Sequence, residues 1–98
     1  MTKPIRIHTD AETEIREAVN YYDLESAGLG ALLLAEVERA IASIAAFPEA
    51  NPLVGAQFRG KLLGKFPFSL LYSVSSNEIV VLSLAHHKRR PFYWLRRH

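Results

Sequence analysis

The feature that most constrains this chain is a change of hydrophobic period near its middle. Up to residue 47 the apolar residues return every three or four positions, and beyond residue 57 they return every two. The first spacing belongs to one face of a helix and the second to one face of a strand, so neither half suits the other's structure. Ala11, Ile15, Ala18, Val19 and Tyr22 make the first stripe, with Glu12, Glu14, Arg16, Glu17 and Asn20 on the outer side. Thr9 followed by Glu12 has the spacing of a capping box and predicts where this helix starts. Ser26-Ala27-Gly28 interrupts the pattern, which resumes as Leu29, Leu33, Val37, Ala40, Ile41 and Ile44 and runs to about Phe47, where Pro48 ends it. Helices joined by so short a turn must lie antiparallel, so residues 10–47 are expected to form a helical hairpin.

On either side of the hairpin the pattern predicts strands. Pro4 to His8 alternates around two isoleucines and suits a short strand. Pro48 to Gly55, with two prolines, an asparagine and a glycine, reads as a loop. Gln57 to Leu63 is a weaker strand ended by Gly64; Phe66, Phe68, Leu70, Tyr72 and Val74 share one face of the next, and Ser75-Ser76-Asn77 turns into Ile79 to Ala85. Pro67 lacks an amide donor and belongs at a strand start or sheet edge. The expected fold is α+β: a small antiparallel sheet in the order β-α-α-β-β-β, with the N-terminal helical hairpin on one face so that each apolar stripe covers the other.

Composition limits what such a fold can be used for. At 98 residues the chain suits a single domain, 1–98, because two cores would each be too small. An apolar content of 49% with a net charge of only +2 separates it from disordered chains. It has no cysteine, which excludes disulfides, thiolate metal sites and thiol nucleophiles. No apolar run approaches the roughly 20 residues of a membrane span, and no charged start leads into an apolar leader, so a soluble, cytoplasmic chain without a membrane partner is expected. Walker A, GxGxxG, HExxH and GxSxG are all missing, leaving nucleotide hydrolysis, dinucleotide binding, zincin and serine-hydrolase chemistry without a motif. The helical acids read as solvent-facing. His86 and His87 are adjacent on a strand and point to opposite faces, so they cannot easily share an ion; no metal or cofactor is expected.

The modest net charge hides an uneven distribution. Residues 86–98 contain Lys88, Arg89, Arg90, Arg96 and Arg97, three histidines and no acid. The other seven lysines and arginines face all ten acids, so the tail carries +5 and the rest −3. Such asymmetry points to an anionic partner. Within the tail, Phe92, Tyr93 and Trp94 interleave with the cations, a mixture that can neutralise phosphates and stack bases. The same aromatics can equally pin the chain end to the core. Arg59 and Lys61 alternate along the first strand of the meander and should share a face, with Lys65 in the turn beyond. If the tail reaches that face, Arg59, Lys61, Lys65, His86, His87, Arg89, Arg90, Tyr93 and Trp94 make a positive concavity.

Four stretches carry a family resemblance. They are Ala18-Val19-Asn20-Tyr21-Tyr22, Glu36-Val37 through Ile44 to Pro48, Phe66-Pro67-Phe68-Ser69-Leu70-Leu71-Tyr72, and Ala85-His86 through Arg89-Arg90-Pro91 to Tyr93-Trp94. In this order and spacing the chain resembles the RelE/ParE superfamily, the toxins of type II toxin-antitoxin modules. The resemblance implies a growth-inhibiting toxin, of the kind associated with plasmid stabilization, neutralised by a cognate antitoxin whose C-terminal segment wraps it.

The two branches of that superfamily imply different chemistry. RelE-like ribonucleases cut mRNA on the ribosome through attack of a 2′-hydroxyl, which needs a proton acceptor, phosphate stabilisation and a proton donor. Arginine can only stabilise, whereas lysine, histidine and tyrosine can move protons. On that reading Lys61 or His87 accepts the proton, Arg59 with Arg89 or Arg90 stabilises phosphate, and Tyr93 resembles the terminal aromatic of these nucleases. The full lysine and arginine set of active RelE enzymes has no complete counterpart here. The spacing from His86 to Trp94 looks more like ParE-type toxins, which are associated with inhibition of DNA gyrase and need no catalytic group. A ParE-like toxin is therefore expected; the alternatives are a ribosome-dependent mRNA endoribonuclease and a non-toxic nucleic-acid or protein binding module.

Overall fold

The computed structural model describes residues 3–97. Its elements are β1 (Ile5–Ile7), α1 (Thr9–Glu25), α2 (Leu29–Ala46), β2 (Leu53–Val54), β3 (Phe58–Leu62), β4 (Phe68–Val74) and β5 (Ile79–His86). They form one five-stranded sheet in the order β1-β5-β4-β3-β2, with the helical hairpin over one face.

The hairpin follows from its sequence, with one change at its start. Thr9 is already helical, and the capping residue is His8, whose Nδ1 accepts the Asp10 amide at 3.1 Å. The imidazole thus does what the hydroxyl of Thr9 was expected to do, satisfying one of the free amides of the first turn. At the bend, Gly28 has no side chain to cap α2, and Asp23 reaches over from α1 instead: its Oδ1 accepts the amides of Gly28 and Gly30 at 3.0 and 3.1 Å. Gly30 also sets how closely the helices approach, since a Cβ there would lie 2.5 Å from the Val19 carbonyl oxygen.

The sheet departs from a pure meander at both ends. β2 to β5 are antiparallel throughout, but β1 runs parallel to β5, with Ile5 opposite Ile79 and Ile7 opposite Val81. The hairpin is a crossover returning the chain to the far side of the meander, as a parallel pair requires. β2 is a two-residue strand inside the segment expected to be loop. Pro67 stands just before β4, its carbonyl accepting the His87 amide at 2.9 Å.

Register then divides the apolar side chains between two cores. Phe68, Leu70 and Tyr72 of β4, with Ile79, Val81 and Leu84 of β5, meet Leu33, Val37, Ala40 and Ile44 of α2 and Ala11 of α1. The intervening residues Leu71, Val80 and Leu82 face the other way and pack with Trp94. A bulge sets Leu71 opposite Ser83 and Tyr72 opposite Val81, so β5 carries an extra residue at Leu82. Tyr72 is completely buried with its hydroxyl satisfied, donating to the Pro48 carbonyl at 2.6 Å and accepting from Asn51 Nδ2 at 3.1 Å. That contact ties the loop after α2 to the helix-side core.

Candidate functional site

The second face of the sheet is where the basic tail arrives. After β5 the chain turns tightly, with the Arg89 amide on the His86 carbonyl at 2.9 Å, and residues 91–96 coil back as successive turns. Trp94 enters the core with 3% of its surface exposed, its indole edge-on to Phe58 at 4.9 Å between centroids. It is therefore a packing anchor, and the stacking role open to it in the sequence is closed. Phe92 has a φ of 61°, a left-handed conformation that is unusual for a bulky side chain and costs roughly 1–2 kcal/mol. Its ring lies over Gly55, whose own φ is 72° and where a Cβ would come within 3.3 Å of Phe92.

Between this segment and the sheet runs a groove of about 560 Å³. Leu71, Ala85, Phe92 and Trp94 give it an apolar floor, Lys61 and Arg89 a cationic rim, and His86 and His87 also line it. His86 and His87 do point to opposite faces. The His86 ring stands edge-on to Phe68, 5.1 Å away, and its Nδ1 accepts the Lys88 amide, while His87 Nε2 lies 3.1 Å from Ser69 Oγ. The guanidinium of Arg89 rests over the Tyr93 ring, 4.0 Å from its centroid, a cation–π contact.

Of the other expected cations, Arg59, Lys65 and Arg90 do not join them, and Lys61 does so from the opposite side of β3. Arg59 and Lys61 share a side of β3 as expected, but they pair with Tyr72 and Leu70, so that side is the helices' side and not the one the tail reaches. Arg59 donates to the Asn51 carbonyl at 2.6 Å and borders a separate hollow beside Lys3 and Ser75. Lys61 enters the groove because β2 is too short to cover its part of β3, and it also borders a hollow against Glu36 and Arg39 of α2, which form an ion pair. Lys65 lies beside Tyr22, Phe66 and Pro67 at the helical end. Arg90 is exposed, outside the groove lining.

Tyr93 brings in two residues not expected at the site, Glu14 and Ser83. Its hydroxyl donates to Glu14 Oε2 at 2.9 Å and lies 2.6 Å from Ser83 Oγ, which is itself 3.1 Å from Glu14 Oε1. Arg97 adds a two-pronged contact, Nη1 to Oε1 at 2.8 Å and Nη2 to Oε2 at 3.1 Å, with Nε 3.5 Å from Asp10. These groups also serve the edge of β5 that β1 leaves open beyond Val81. The Leu84 amide donates to Glu14 Oε1 at 3.1 Å, and Arg97 Nη1 donates to the Leu82 carbonyl at 2.9 Å. Side chains thus complete a ladder whose partner strand has ended, as buried backbone groups require. Burial, then the hydrogen bond and charge of Glu14, raise the Tyr93 pKa against the opposing pull of Ser83 and Arg89. For Arg97, burial pulls downward but the hydrogen bond and charge of Glu14 prevail, and its pKa is raised.

Chemically, the groove offers cations over an apolar floor, which suits an anionic partner with apolar groups. It does not offer the Tyr93 hydroxyl, which is committed to Glu14 and Ser83.

Comparison with known proteins agrees with the sequence resemblance. The family described as "ParE toxin of type II toxin-antitoxin system, parDE" matches residues 5–91. Among solved structures, the chain is similar to one of the chromosomal ParDE toxin-antitoxin system from P. aeruginosa, with a TM-score of 0.65 and 16% identity, covering 86% of this chain and 95% of that one. No curated protein matches the sequence. The structural likeness speaks for the fold and the family match for the lineage: the chain belongs to the ParE family of toxins of type II toxin-antitoxin systems.

Proposed function

We propose that this toxin acts by binding, with DNA gyrase as its target, and that a cognate antitoxin neutralises it by covering the cationic groove. The observation that carries the binding mode is the state of Tyr93. A nuclease of the RelE type needs a donor or acceptor that can exchange its proton during the reaction. Here the Tyr93 hydroxyl is held by Glu14 and Ser83, with its proton more firmly bound than in free tyrosine. What is left at the rim is positive charge over apolar surface, which is enough for a protein that traps its target. Such a toxin works in the cytoplasm, where its target is.

A second reading has one observation in its favour: Lys61, His87 and Arg89 share the groove, and they are a base, a second base and a phosphate-stabilising group. The two readings separate in paired assays. Purified toxin should block gyrase supercoiling or trap its cleavage complex, and should leave message on translating ribosomes intact. Cut mRNA with unaffected gyrase would replace the first reading by the second. Growth unimpeded by expression without an antitoxin would remove both in favour of a non-toxic binding module. Co-expression of the acidic antitoxin should restore growth, with an association rate that falls as salt rises.

A further inference from the structure

Glu14 lies on α1, on the opposite side of the β5 edge from the groove, yet its carboxylate meets five groups. Ser83 Oγ, the Leu84 amide and Arg97 Nη1 approach one oxygen, and the Tyr93 hydroxyl and Arg97 Nη2 approach the other. Three of these groups belong to the tail and two to β5. The carboxylate therefore joins the segment after the sheet to the sheet itself. It is largely withdrawn from solvent, with 15% of its side chain exposed against 16% for Arg97, and charge-assisted bonds are stronger there than in water.

The consequence lies on the far side of Tyr93. With its hydroxyl held at one end, the ring presents a fixed face, and on that face rests the guanidinium of Arg89, a residue of the groove rim. Arg89 is exposed and has no carboxylate partner among the described residues. An exposed arginine has large rotamer freedom, and the ring platform is what limits it here.

We propose that Glu14 is the positioning residue of this site: by holding Tyr93 and Arg97 against the open edge of β5, it fixes the ring on which Arg89 is laid out toward the target. The proposal rests on the reading of the groove as the target-binding surface. Glu14 itself touches no target; it acts through Arg89.

The test has two arms. In the first, NMR reads the ring-current shift that Tyr93 imposes on the Arg89 side chain in the wild type, Glu14→Gln and Glu14→Asp. The upfield shift should be lost in Glu14→Gln, and reduced in Glu14→Asp, which keeps the charge but withdraws the carboxylate by one methylene. In the second, gyrase inhibition is measured for the wild type, Glu14→Gln, Arg89→Ala and the double variant. Glu14→Gln should weaken inhibition about tenfold, and should add nothing once Arg89 is gone, because residues acting through one another are not additive. An unchanged Arg89 shift in Glu14→Gln overturns the proposal, as do losses that multiply in the double variant. So does failure of both Glu14 variants to fold, since Glu14 would then be a structural residue only. If the wild type does not inhibit gyrase, the proposed target falls, and the NMR arm still decides whether Glu14 positions Arg89.

Discussion

The two faces of the sheet are closed by different means. On one, two long helices lay down a continuous apolar surface, and eleven of the twelve buried residues of that core have no polar side-chain atom; Leu33, Val37, Ile44, Leu70 and Val81 simply exclude water. On the other, a segment of seven residues, 91–97, contributes one buried side chain, Trp94, and is held at its edge by Glu14 through Tyr93 and Arg97. A large apolar interface offsets chain entropy through area alone, at about 25 cal/mol per Å². A short segment cannot do so and needs directional bonds to stay in place. The face that carries the groove is therefore the one assembled with least redundancy.

The comparison can be broken most directly from the helical side. Leu33 is fully buried at the centre of the larger core, and Leu33→Ala should destabilise the fold by about 3–4 kcal/mol, the cost of lost transfer energy plus an unfilled cavity. Urea denaturation should show one transition at a lower midpoint, reported alike by helix and sheet signals. Two separate transitions would mean that the cores are independent units.

Trp94→Ala should have a smaller effect, about 2–3 kcal/mol, although it removes more atoms. Residues 91–97 can detach instead of lining a void, which limits the loss to that segment and what it covers. Amide exchange should show this: faster at Leu95 and Arg97, whose amides bond to Phe92 and Trp94, and little changed at Leu70 and Tyr72. Equal loss of protection in β4 would show that the second face is as integral to the fold as the first.

That asymmetry also explains what the sequence could convey. The helical hairpin and the alternation of Phe68, Leu70 and Tyr72 were legible because burial leaves a periodic trace. The parallel pairing of Ile5 with Ile79 was not, because it joins residues far apart and periodicity does not encode register between them. β2 was hidden in a loop rich in proline because two residues are too few to show a period. The capping role went to His8 because a neutral imidazole nitrogen accepts as a hydroxyl does, and pattern rules favour the hydroxyl. Around the groove, residue type identified cations and aromatics but not their sides. Register puts Arg59 and Lys61 together on the helices' side, and only Lys61, on the part of β3 that β2 does not cover, also borders the groove with Arg89, while Arg59 is held by Asn51. Glu14 read as one more outward acid on α1. Its one trace was indirect: a tail of five cations and no acid must find any ion-pair partner elsewhere in the chain.

The smallest expected effect tests the tether itself through pH. A tyrosine in the unfolded chain titrates near 10, whereas burial of the Tyr93 ring, reinforced by Glu14, raises its value in the native state. A raised native value gives stability that is fully present below the unfolded value, and that is lost as pH rises through the native one, because above about pH 10 the unfolded chain gives up a proton that the native state retains. Tyr93→Phe keeps the ring and removes the hydroxyl. It should be less stable than the wild type at neutral pH by about 1 kcal/mol, the net worth of a typical hydrogen bond. The difference between the two proteins should then shrink as pH climbs above 10, since only the wild type has the Tyr93 proton to lose. Denaturation midpoints at pH 7, 9, 10 and 11 for both proteins would measure it. No difference between the two proteins at any of these pH values would mean that Tyr93 is held by its ring alone, and that the second face needs no tether beyond Trp94 and Arg97.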